Sequence, residues 1–124
     1  MAVEFGRVIP TFRIFNEDKA REFYVGFLGF TIDFEHRFDD NAPLFMRVSR
    51  GSFQLFLSEH HGDGAPASIC TVVVSSVDEL HAEFTAKQYK YNRPGIQHEF
   101  GKSVTVIDPF HNEIRFLERN DTED

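Results

Sequence analysis

Val8-Ile9-Pro10-Thr11-Phe12-Arg13-Ile14-Phe15 alternates, with Val8, Pro10, Phe12 and Ile14 on one side and Ile9, Thr11, Arg13 and Phe15 on the other. Period two is the pattern of a half-buried strand. Asn16 then suits an N-cap, and Glu17 and Asp18 fall in a first turn where the helix dipole favours acids. Ala20, Phe23, Tyr24, Phe27 and Leu28 recur at helical spacing until Gly29, which stops the helix. Strands are expected over 30–38, 44–48 and 53–57, with a loop at Asp39-Asp40-Asn41-Ala42-Pro43 and a turn at Arg50-Gly51.

The plan then repeats. After a Gly- and Pro-containing linker over 59–67, residues 69–74 read as a strand. Ser75 or Ser76 caps a helix through Leu80, Phe84 and Tyr89, and Asn92-Arg93-Pro94-Gly95 makes a turn. Strands follow over 96–100, 102–107 and 113–117, the last two joined by Asp108-Pro109-Phe110-His111-Asn112. Setting Ile9 on Ile69 places Ile14 on Val74 and Ala20 on Leu80; setting Gln54 on Arg115 aligns the closing strands. The fold class is therefore α+β, built from two βαβββ modules at about 7–58 and 68–119.

The 124 residues suffice for one domain with a core of its own. Hydrophobic residues at 41% and charged residues at 27% are globular proportions, and no apolar run reaches the length of a membrane span. A net charge of −7 argues against a nucleic-acid partner and allows a cationic ligand. One cysteine, Cys70, excludes an internal disulfide or a Cys-rich zinc site, and residues 1–7 lack the apolar run of a secretory signal. A cytoplasmic location is the expectation. Fifteen Phe and three Tyr without a Trp is a heavy aromatic load. Most should be core, with the surplus left for a ligand surface or a subunit interface.

The two modules are joined by more local signatures. Ala20-Arg21-Glu22-Phe23-Tyr24 running into Phe27-Leu28-Gly29-Phe30, the later Val77-Asp78-Glu79-Leu80, and the ending Asp108-Pro109 through Asn112-Glu113-Ile114 together resemble the vicinal oxygen chelate superfamily. That superfamily includes glyoxalases, extradiol dioxygenases, fosfomycin-resistance enzymes and bleomycin resistance proteins. The resemblance implies a cup-shaped sheet and, in the enzymes, a divalent metal held from the first and last strand of each module. Here those positions carry Ile9, Gln54, Ile69 and Arg115. Isoleucine has no lone pair to give and a guanidinium repels a cation, so no metal and no cofactor are expected. Nor do the six histidines, the adjacent His60 and His61 included, stand at a diagnostic ligand spacing. Cys70, taken to lie on a central strand, reads as a core residue rather than a nucleophile.

Loss of the metal ligands characterises the bleomycin resistance proteins, which sequester the drug unchanged. Pro10, Asp33-Phe34 and Phe100-Gly101-Lys102 resemble that branch. The resemblance implies a non-enzymatic homodimer with exchanged N-terminal strands and two ligand grooves at its interface. Candidate aromatic contacts are Phe38, Phe45, Phe56 and Phe100, and Asp33, Asp39, Asp40 and Glu59 could attract a cationic ligand. Strand parity adds a contrary signal: Arg13, Arg47 and Arg115 fall on faces that would line the cup. They are either paired internally, for example Arg115 with Glu113, or fix an anionic small molecule. Three alternatives to sequestration stay open: an enzyme with an atypical metal site, a binder of an anionic ligand, or an interaction domain whose surplus Phe is spent on the dimer.

Overall fold

The computed structural model describes residues 2–119. Strand β1 (Thr11–Arg13) leads into α1 (Glu17–Arg21), which widens into a π-helical segment over Glu22–Phe27. Strands β2 (Thr31–His36), β3 (Phe45–Arg50) and β4 (Phe53–Ser58) complete the first module. The second comprises β5 (Ile69–Val74), α2 (Val77–Lys87), β6 (Ile96–Gln97), β7 (Ser103–Ile107) and β8 (Glu113–Glu118). The sheets have the same plan, β1-β4-β3-β2 and β5-β8-β7-β6, each with its first and last strands parallel. No helix among the described residues is long and apolar enough to cross a membrane.

The helix starts follow the sequence. Asn16 Oδ1 accepts from the Lys19 N–H at 2.9 Å, and Ser76, rather than Ser75, accepts from that of Glu79 at 3.2 Å. Gly29 turns the chain at φ +74°, a conformation a Cβ would strain. The π-helical turn is marked by the Leu28 N–H donating to Phe23 O, five residues back. Phe23, Tyr24, Phe27 and Leu28 all reach the core. There Phe27 meets Phe84 of α2 at 5.0 Å and Tyr89 at 4.8 Å, which fuses the modules around one apolar centre.

Several expectations need correction. The first strand is three residues long, not eight. The Phe56 N–H still donates to Pro10 O at 2.9 Å, but proline has no N–H with which to carry the ladder upstream. The strand expected over 96–100 ends at Gln97, and Phe100 sits at φ +55° in a turn. Cys70 lies on β5, an edge strand rather than a central one, although its side chain packs on the core. Of the phenylalanines, Phe12, Phe23, Phe27, Phe30, Phe84 and Phe116 are buried, and Phe53 and Phe110 pack partly against them. The remainder stand outside the core, a larger surplus than expected.

The modules are also joined by polar contacts. Asn112 Nδ2 donates to Arg13 O at 2.9 Å and to Asp108 Oδ2 at 2.9 Å, while the Tyr24 hydroxyl donates to that same oxygen at 2.7 Å. Arg50 forms a two-pronged pair with Glu83 of α2 at 2.7 Å for each bond.

Candidate functional site

Phe12, Met46, Val48, Leu55 and Leu57 face the core, so the alternate residues of the same strands share the opposite face. Register orders that face into rows. One row runs Thr11, Phe56, Arg47, Phe34 across β1, β4, β3 and β2; the next runs Arg13, Ser58, Phe45, His36. Three phenylalanines from three strands thus meet. Phe45 and Phe56 rings lie 5.0 Å apart, and Phe34 is 6.3 Å from Phe45 and 6.4 Å from Phe56. These separations are those of favourable offset aromatic pairs.

A bulge assembles one corner of this wall. The register of β2 shifts between Ile32 and Phe34, so the intervening Asp33 has no simple cross-strand partner. Asp33 accepts from Arg47 Nε at 3.1 Å and from Ser49 Oγ at 2.9 Å. The Arg47 guanidinium in turn lies 5.3 Å above the Phe34 ring. Strict alternation would send Asp33 and Phe34 to opposite faces; the bulge lets both serve Arg47. Phe34 is a wall residue that the sequence did not single out; its one signal there is the Asp33-Phe34 resemblance.

The other expected residues separate clearly. Phe38 lies just beyond β2, between the rings of His36 at 4.7 Å and His60 at 5.8 Å, and His36 is the cross-strand neighbour of Phe45. Phe100 is 95% exposed in the second module and makes no ring contact with the wall. Asp39 and Asp40 are exposed in the β2–β3 loop, and Glu59 is tied to the Leu44 N–H at 3.0 Å.

The three arginines have different surroundings. Arg47 is neutralised by Asp33. Arg115 is exposed between Thr71 and Thr105 in register and has no ion pair among the described residues, so the pairing with Glu113 considered from sequence does not form. Arg13 is buried, stacked 4.7 Å over Phe15, and likewise has no ion pair there.

The second module's corresponding face is not aromatic. Its rows are Ile69, Glu113, Ile107; Thr71, Arg115, Thr105; and Val73, Leu117, Ser103. A groove of about 520 Å³ between the modules is lined by Val8, Pro10, Phe30, Phe53 and Gln54 against residues 70–74 of β5. Burial raises the Cys70 thiol there to about 11, which keeps it protonated at neutral pH.

The positions where the fold's enzymes hold a metal do not fit one. Ile9 precedes β1, Ile69 opens β5, and Gln54 and Arg115 stand on β4 and β8. Two alkyl groups, an amide and a guanidinium make no donor set for a divalent ion. Among the described residues no group of three or more His, Cys, Asp or Glu gathers to offer another.

The glyoxalase superfamily protein model matches residues 1–123. The chain belongs to that superfamily. It is similar to the bleomycin-binding protein of the bleomycin producer Streptomyces verticillus, solved with copper(II)-bleomycin, at 24% identity and a TM-score of 0.72, covering 96% of this chain and 100% of that one. It also resembles TnmS3, an antibiotic-binding protein of Streptomyces sp. CB03234, at 16% identity and 0.67, covering 97% and 99%. A glyoxalase family protein from Enterococcus faecalis matches at 15% identity and 0.61, covering 91% and 95%. At these identities the likeness carries the fold, which binding proteins and other superfamily members share. No protein of curated function matches the sequence.

Proposed function

We propose that the chain binds a small aromatic molecule and sequesters it unchanged, in the manner of the antibiotic-binding members of its superfamily, with a glycopeptide of the bleomycin type as the first candidate. The observation that carries this reading is the Phe34, Phe45 and Phe56 wall, clamped by the Arg47–Asp33 pair. Flat rings on a sheet face offer stacking to a heteroaromatic ligand, and such a wall needs neither nucleophile nor metal. Neighbours that bind bleomycin or another antibiotic support the class.

The assembly proposed is a homodimer with exchanged N-terminal arms. Residues 2–10 have no regular structure and carry exposed Val3, Phe5 and Val8, with Phe5 at 95% exposure. The outer edge of β5 is unpaired, with Ile69 and Val73 exposed alongside it. An apolar arm and an open apolar edge on one chain are self-complementary when two copies meet. The grooves would then lie where one copy's wall faces its partner.

The decisive experiment is a calorimetric titration of metal-stripped protein with copper-free and copper-bound bleomycin. The expectation is saturation near one drug per chain, weakened at least tenfold in Phe56→Ala, with light scattering reporting a dimer. Absence of heat with both forms would remove bleomycin as the ligand; unchanged affinity in Phe56→Ala would remove the wall as its site.

A further inference from the structure

Only two fully buried side-chain polar atoms among the described residues lack a hydrogen-bond partner, Arg13 Nε and His60 Nε2. Both flank Ser58. Arg13 is its cross-strand neighbour, and the His60 N–H donates to its hydroxyl at 3.1 Å. The linker after β4 folds back over this corner. Asp63 Oδ2 accepts from Ser58 Oγ at 2.8 Å, and Gly64 lies so close to β1 that a Cβ there would be 3.0 Å from Thr11 O and 3.9 Å from Arg13 Cγ.

Arg13 under this roof is 8% exposed, yet no carboxylate among the described residues pairs with it. The roof's two acids are engaged elsewhere, Asp63 by Ser58 and Glu59 by the Leu44 N–H. A buried charge normally has a partner, because an unpaired one is costly. The stacking of Arg13 on Phe15 uses the π-face alone. The N–H donors lie in the guanidinium plane, in the fork that matches a carboxylate, and none of them meets an acceptor among the described residues.

Arg13 also stands in the row Arg13, Ser58, Phe45, His36. Two strand spacings separate its backbone from that of Phe45, about 10 Å. We infer that the corner of Arg13 beneath the 59–67 roof is an anion seat at one end of the phenylalanine wall, so that among aromatic ligands it favours a flat one bearing a carboxylate over the cationic glycopeptide named first. This rests on the reading of the wall as a ligand surface and adds the charge of what lies on it. His60 Nε2 supplies a further unsatisfied polar group in the same corner. Arg47, already paired with Asp33, lacks the bare charge that Arg13 presents.

The test compares 2-naphthoate with the uncharged 2-naphthamide, which share their rings, by titration calorimetry on the full chain. Naphthoate should bind about tenfold tighter or better, the increment of a charge-assisted two-pronged bond over a neutral one. Arg13→Met should erase that preference by weakening naphthoate far more than naphthamide, and Arg13→Lys should keep part of it. Phe56→Ala should weaken both. Equal affinities in the wild type overturn the anion seat and leave the wall standing; a preference that survives in folded Arg13→Met overturns it as well. If neither probe binds, the anion seat falls, while the bleomycin titration decides the wall on its own. Should Arg13→Met not fold, the wild-type contrast together with Arg13→Lys decides the matter.

Discussion

Replacing Tyr24 with phenylalanine removes one oxygen from the junction between the modules. The hydroxyl donates to Asp108 Oδ2 at 2.7 Å, in a setting where Tyr24 has no exposure. Asp108 keeps three other donors: the Phe110 and Asn112 N–H groups at 2.8 Å each and Asn112 Nδ2 at 2.9 Å. A buried hydrogen bond to a charged acceptor contributes about 1.5–3 kcal/mol. With about 2.1 cal/mol/K of unfolding entropy per residue, a chain of 124 residues loses its midpoint by about 6–12 °C for that change. Asn112→Ala reaches further, because it frees Arg13 O and the Ser68 N–H along with Asp108. Its cost should be about 3–5 kcal/mol. The two substitutions share Asp108, so the double variant should depart from additivity by at least about 0.5 kcal/mol. Urea unfolding at one fixed protein concentration measures all three, since self-association shifts the apparent stability. Tyr24→Phe within about 1 °C of wild type, or strict additivity in the double variant, would refute the junction as a coupled unit.

Burial, followed by the charge of Asp108, holds the Tyr24 hydroxyl well above its ordinary value of 10.0, so the folded state keeps that proton where the unfolded chain loses it. Stability should be level below pH ~10 and fall as pH rises beyond it, and this fall should be shallower in Tyr24→Phe when alkaline unfolding is followed by circular dichroism. Burial also lifts Cys70 to about 11 from 9.0. At pH 8 it should therefore react with a disulfide reagent about 100-fold more slowly than the same thiol in urea-unfolded protein, and equal rates would show the thiol to be open. Gly64→Ala should destabilise by more than Gly62→Ala in parallel urea titrations. Both have positive φ, +77° and +96°, but only at 64 does the added carbon meet backbone, at 3.0 Å from Thr11 O.

The sequence was most legible where a side chain must be buried or a cap must bind. β5 runs over the six residues read for it, and both helices begin at side-chain oxygens placed beforehand. Alternation also separated the core side of β3 and β4 from the side carrying Phe45, Arg47, Gln54 and Phe56. It failed where the backbone departs from regular pairing. Pro10 shortens β1 by withholding a donor, and the bulge at Asp33 turns two successive residues toward one arginine. The roof over Arg13 had no periodic signal at all. Its information lies in Gly64, whose need for glycine is a contact with a carbonyl some fifty residues earlier.

The repeat explains why fold and function differ in legibility. Each module must bury one sheet face against a helix, so Val48, Leu55 and Leu57 in the first have counterparts in Val104, Ile114 and Phe116 in the second. The other face is under no such demand. In the first module it gathered Phe34, Phe45 and Phe56; in the second it carries Thr71, Val73, Thr105 and Leu117. A module serving only as scaffold would not need three rings on a face turned away from its core, since aromatic surface left in water gains nothing from the hydrophobic effect. Under the proposed binding function, the asymmetry puts the ligand surface on the first module. The second module is tied to that face through Asn112 on the Arg13 carbonyl and Glu83 on Arg50.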